Sequence, residues 1–170
     1  MTSRQLLPPL TDEVFDSFNS LLEYANSFAR SQGYAIIKRR SCNYDSVTKL
    51  PRRYDLACDL GGSRRPSRST SCRRGGTRTK GCPFAAQACQ YRHLGDKWAL
   101  LVSEQSHNHE LSIADVTHPT HRVITAEMLE FIDTSSNKAR MPARMILEQV
   151  RTLNPDVAIT EKDIYNAQRK

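Results

Sequence analysis

The stretch SHNHE, residues 106–110, decides how this chain is read. It places His107 and His109 one residue apart, directly behind the apolar run KWALLVSEQ, residues 97–105. In an extended strand, residues i and i+2 point to the same face. The two imidazoles therefore stand side by side, as metal ligands do, and the cysteines have to supply the rest of the set.

Working outward, DKWALLVSEQ (96–105) reads as a strand and CPFAAQACQY (82–91) as the one before it, joined by RHLG (92–95). Further upstream, YAIIKRRS (34–41) and YDLAC (54–58) read as two more strands around the turn NYDSVTKLPRR (43–53). In an antiparallel meander of these four, Cys58 ends the second strand and Cys82 begins the third, at the same sheet edge. The fourth strand returns to that edge and delivers His107 and His109. Two thiolates and two imidazoles form the closed tetrahedral set of one structural Zn2+, with no position open for water. The spacings, 23 residues between the cysteines and 24 from Cys82 to His107, do not match the short Cys pair of common zinc fingers. Two buried thiols and a surface His-Asn-His is the competing reading. Cys89 is expected in the core of the third strand, Cys72 as a free thiol in a loop, and Cys42 without a partner. His93, His118 and His121 are expected to face solvent.

The chain has 170 residues, 38% of them hydrophobic, enough for one ordinary domain or two small ones. No run approaches a membrane span, and MTSRQLLPPLTDEVF lacks the apolar segment of a secretion signal, so an intracellular protein is expected. Five cysteines without a regular framework then favour thiols or metal ligands over disulfides. The net charge of +7 is concentrated: residues 38–95 hold 14 basic and 3 acidic side chains. This suits a polyanion partner, and it equally suits a solvated basic loop. Residues 61–80, GGSRRPSRSTSCRRGGTRTK, have almost nothing apolar and read as a flexible loop.

Residues 11–31 read as an amphipathic helix, with Thr11 as N-cap, Phe15, Phe18, Leu22, Ala25 and Ala29 on its apolar stripe, and Gly33 as the stop. After a linker at 112–122, three helical segments follow: ITAEMLEFIDTSS (124–136), MPARMILEQVRTLNP (141–155) and TEKDIYNAQRK (160–170). Pro142 stands near the start of the second, and Thr160 with Asp163 forms a capping-box pair on the third. The expected class is α+β: residues 11–111 as a helix plus a four-stranded antiparallel zinc-bound sheet, and 123–170 as a small three-helix unit of helix-turn-helix kind.

The segments FNSLLEYANSFARSQGYAIIKRRS, LACDLGG, TKGCPFAAQACQ and KWALLVSEQSHNHEL, in that order, resemble the far-red-impaired-response type of DNA-binding domain. That domain stands at the amino terminus of many Mutator-like transposases and of transcription factors derived from them, within the wider WRKY and glial-cells-missing zinc group. The resemblance covers residues 14–111, and its most specific parts are the Gly-Cys-Pro corner and His-Asn-His-Glu. It implies a WRKY-like sheet of about four strands with one zinc on Cys58, Cys82, His107 and His109. It also implies that Lys38, Arg39 and Arg40, on the first strand, read the DNA major groove. The WRKY heptapeptide is absent, so no base preference carries over. The basic loop is longer than in the compact WRKY pattern, and Arg64, Arg65, Arg68, Arg73, Arg74, Arg78 and Lys80 are expected as a phosphate-contacting arm.

The function so implied is zinc-dependent, sequence-specific binding of double-stranded DNA in the nucleus. The chain would serve as a transcription regulator or as a truncated or domesticated transposase region. A protein-interaction module that keeps the zinc fold without DNA binding is the alternative. The C-terminal helices offer a surface for a homodimer or a protein partner. No membrane, small-molecule substrate or enzymatic activity is expected. A Cys82–His107 nucleophile pair would lack a third orienting group, and the Gly61-Gly62 and Gly75-Gly76 pairs carry no phosphate-loop pattern.

Overall fold

The computed structural model describes residues 6–63, 78–112 and 117–169. They form two compact units divided between residues 113 and 114. The first is α+β: β1 (Val14–Phe15), α1 (Phe18–Gln32), β2 (Ile36–Tyr44), β3 (Pro51–Cys58), β4 (Ala85–Tyr91) and β5 (Lys97–Glu104). The strands make one antiparallel sheet in the order β1-β5-β4-β3-β2.

The sheet has five strands where four were expected. Val14 and Phe15 pair with Ala99 and Trp98 and cover the outer edge of β5. This shortens the expected helix from its start. Ser17, not Thr11, caps α1, its hydroxyl accepting from the Ser20 N–H at 3.1 Å. Val14 and Phe15 fit the helical stripe as well as a strand, and the free edge of β5 decides between them.

One sheet face packs on α1. Leu21, Ala25 and Ala29 meet Leu56, Ala86, Ala88, Trp98 and Leu100, all buried. Phe18 stacks on Tyr54 with ring centroids 3.8 Å apart. Cys89 is not in this core. Ala86 and Ala88 take the inward positions of β4, so by the two-residue period Cys89 is left half-buried on the outer face. Gly33 ends α1 at φ 78°, and a Cβ there would meet the Ser112 carbonyl oxygen at 2.9 Å. That glycine lets the chain beyond His109 lie against the helix end, where the Ser112 N–H donates to the Gly33 carbonyl at 2.8 Å.

The second unit holds α2 (Ala126–Asn137), α3 (Ala143–Leu153) and α4 (Glu161–Ala167) around Ile132, Ile146, Leu147, Val150, Ile159 and Ile164. The expected capping box is present: the Thr160 hydroxyl accepts from the Asp163 N–H at 3.3 Å, and Asp163 accepts from the Thr160 N–H at 2.9 Å. Arg122 pairs with Asp163 at 3.2 Å and ties the lead-in segment to the same helix start. His118 is buried, not solvent-facing. It immediately precedes a 3-10 turn at Pro119–His121, and its ring lies 5.6 Å from that of His121. Among the described residues, no helix is long and apolar enough to cross a membrane.

Candidate metal centre and basic face

The meander brings all four expected ligands to one sheet edge. The metal-ligating atoms of Cys58, Cys82, His107 and His109 lie within 4.8 Å of one another. Cys58 Sγ is 3.3 Å from His109 Nε2, and Cys82 Sγ is 3.3 Å from His107 Nδ1. The two imidazole nitrogens are themselves 3.3 Å apart. A tetrahedral centre with zinc-like bond lengths separates its ligand atoms by roughly 3.3–3.8 Å. The group can therefore hold one metal ion, with Nδ1 of His107 and Nε2 of His109 facing it.

Local structure sets these orientations. Phe84 stacks on the His107 ring at 4.7 Å and Tyr34 packs on it at 4.4 Å, which turns Nδ1 toward Cys82. His107 Nε2 is buried without a hydrogen-bond partner. His109 Nδ1 lies 3.0 Å from the Glu110 carbonyl oxygen, so it carries the proton and Nε2 is left free to coordinate. Burial, and then the nearby His109, pushes the His107 pKa down to about 4. Burial likewise raises the Cys58 thiol, and Cys82 and Asp59 raise it further against the lowering effect of the Leu60 N–H. Without a metal, Cys58 and His107 are thus each neutral at physiological pH.

Three residues to which the sequence gives no role at the site, Asn108, Leu60 and Gly61, hold the cluster together. Asn108 Nδ2 donates to the carbonyl oxygens of Lys80 at 3.0 Å and Gly81 at 3.2 Å, which laces the His-Asn-His segment to the approach of Cys82. The Leu60 carbonyl accepts from Lys80 and Cys82, and Gly61 bridges Cys82. A Cβ on Gly61 would meet the Cys58 carbonyl oxygen at 2.8 Å. Asn108→Ala is expected to weaken metal affinity about 10- to 100-fold, the usual effect of losing a residue that orients a ligand. Competition with a chromophoric chelator would measure it, and an unchanged affinity would assign Asn108 no part in the site.

The basic residues do not act alike. The pairing of β2 with β3 slips between Lys38, opposite Leu56, and Arg40, opposite Asp55. This bulge leaves Arg39 as the extra residue. Lys38 lies on the α1 side, its ammonium 5.2 Å from the Tyr54 ring centroid. Arg39 and Arg40 both line a depression on the opposite face. Arg78 bonds Asp59 at 3.2 Å, and the Asp59 carboxylate, 2% exposed, lies against Cys58. Lys80 is exposed, while its backbone serves the metal site. Cys42 does have a partner, since its thiol points at Asp55 Oδ2 3.6 Å away. Arg64, Arg65, Arg68, Arg73 and Arg74, with Cys72, lie outside the described residues.

No family model matches the chain. The PKS-NRPS hybrid synthetase cheA of Chaetomium globosum is 32% identical over 160 residues. The match covers 92% of this chain but 3% of the synthetase, so the chain spans a very small part of that protein. Among solved structures, the crystal structure of AFT2 in complex with DNA aligns over 83% of this chain and 86% of that one, at 18% identity and a TM-score of 0.39. That score is too low for a shared fold to be inferred.

Proposed function

We propose that this protein binds double-stranded DNA sequence-specifically, that Cys58, Cys82, His107 and His109 hold a structural zinc, and that it acts in the nucleus. It would serve there as a transcription regulator or as a transposase-derived DNA-binding region. One observation carries this reading: the candidate metal cluster closes the root of an arginine-rich segment. Seven Lys or Arg and a single acid, Asp59, lie between Cys58 and Cys82, and Asp59 is paired with Arg78. The basic charge is thus anchored to a metal-organised sheet at both ends. The resemblance of residues 14–111 to the far-red-impaired-response domain supports the same reading. Thiolate and imidazole ligands in a closed set suit zinc and leave no coordination position for chemistry on a substrate, so the protein is read as a binder and not an enzyme.

The test is duplex DNA affinity of the zinc-loaded protein against salt. Each phosphate neutralised contributes a slope of about −0.9 in log K against log salt. Five contacts would weaken binding on the order of several hundredfold between about 50 and 200 mM salt. A protein that binds no duplex, or binds it without salt dependence, would leave the protein-interaction reading in its place.

A further inference from the structure

The outer face of the sheet sets Arg39 and Arg40, but not Lys38, in line with Gln87, a residue given no role so far. Arg40 pairs with Asp55, Asp55 with Gln87, and Gln87 with Leu101, so these four lie side by side across β2, β3, β4 and β5. The bulge adds Arg39 to the Arg40 end. Arg39, Arg40, Asp55, Gln87 and Ser103 line a shallow depression of about 480 Å³ together with Ala85 and with Leu56 and Ala86, whose side chains belong to the core on the other side of the sheet. Among the described residues, Arg39, Arg40 and the Gln87 carboxamide make no ion pair or side-chain hydrogen bond. Asp55 is already held by Arg53 at 2.9 Å and by Cys42. Two free guanidiniums and a free carboxamide stand around the depression.

We infer that Arg39, Arg40 and Gln87 form a base-reading row on the outer sheet face, and that Lys38, directed to the opposite face over the Tyr54 ring, is not a reader. This rests on the DNA-binding proposal. Arg53 compensates the Asp55 carboxylate in the middle of the row, so the groups left to meet a ligand are the guanidiniums at one end and the Gln87 carboxamide, and both kinds of group pair with base edges. Arginine matches guanine O6 and N7, and glutamine matches adenine N6 and N7. Neighbouring strands are about 4.8 Å apart, so Arg40 and Gln87 are separated by roughly 10 Å. That is about three base-pair steps at 3.4 Å each. The preferred site should therefore hold a guanine and, within about three base pairs, an adenine.

The experiment is selection of DNA sites from a random pool by the zinc-loaded full chain and its variants, followed by affinity on the selected site. Gln87→Ala should relax the adenine position with about a tenfold loss of affinity. Gln87→Glu should switch that position toward cytosine, whose N4 donates. Arg39→Ala/Arg40→Ala should relax the guanine position, and Lys38→Ala should select the wild-type site. An unchanged motif in both Gln87 variants, or a changed one in Lys38→Ala, would overturn the inference while leaving DNA binding intact. A wild type that binds duplex without selecting a motif also overturns it. A wild type that binds no duplex removes the DNA-binding proposal itself, and the row falls with it.

Discussion

Stripping the metal with a strong chelator should unfold the sheet unit, and Cys58→Ser should do the same without a chelator. The core explains why. Of the side chains packed between α1 and the sheet, Ala25, Ala29, Ala86 and Ala88 contribute very little apolar area each. The strand ends that carry Cys58, Cys82 and His107 are joined through the cluster itself, Asn108, the Leu60 carbonyl and the packing of Phe84 and Tyr34 on His107. A structural zinc contributes about 10–16 kcal/mol in comparable small domains. Whole domains are stable by only about 5–15 kcal/mol. Elemental analysis should find one zinc per chain in the wild type and none in His107→Ala/His109→Ala. Loss of metal should remove the native Trp98 emission, because Trp98 is the only tryptophan and is buried in this core. The second unit has its own core around Ile146 and Ile164 and should keep its helical signal. A chelated protein with Trp98 still native would show that the four residues cluster without holding the fold.

How much of this was legible in the sequence follows from how local each cause is. The four main strands and their meander were readable, because alternation and turn residues are properties of neighbours in the chain. The clustering of Cys58, Cys82, His107 and His109 was readable for the same reason, since a meander fixes which strand ends share an edge. Strand β1 was not: Val14 and Phe15 are recruited by the free edge of β5, some 85 residues away. The different fates of Lys38, Arg39 and Arg40 were equally hidden. Three consecutive basic residues imply alternating faces, and the bulge that sets two of them on one face arises from the pairing with β3. Asn108 looked like a spacer between histidines, and only the arrival of residues 80 and 81 beside it makes it a brace. Cys89 was misplaced because Ala86 and Ala88 are small enough to hide the true inward phase of β4. His118 is buried although nothing in its neighbours in the chain signals burial.

Acid should separate the two units. In the sheet unit, before a metal binds, burial and the adjacent His109 hold the His107 pKa at about 4, against 6.5 for a free imidazole, and a bound metal, which needs the same imidazole unprotonated, acts in the same direction. Between those values the unfolded chain takes a proton that the folded chain refuses. The stability that His107 contributes is therefore complete above about pH 6.5 and drains away as the pH falls toward 4. The metal adds to the same trend. Burial raises the Cys58 thiol, so coordination must expel its proton, and affinity should fall by at least about tenfold for each pH unit of acidification. The helical unit behaves differently. Burial works to raise Asp163, but hydrogen bonds from the Thr160 hydroxyl and N–H, together with Arg122, hold its pKa below the ordinary carboxylate value of 3.8. That contribution is present above 3.8 and is lost only as the pH falls through the lowered value. In a titration from pH 7.5 downward, Trp98 emission should change between about pH 6.5 and 4, with release of zinc to an indicator dye over the same interval. Ellipticity at 222 nm should fall in two stages, the first as α1 is lost with the sheet and the second below the range of ordinary carboxylates. One transition shared by both probes below pH 4 would contradict this order, because it would mean that neither the neutral His107 nor the coordinated Cys58 governs the stability of the sheet unit.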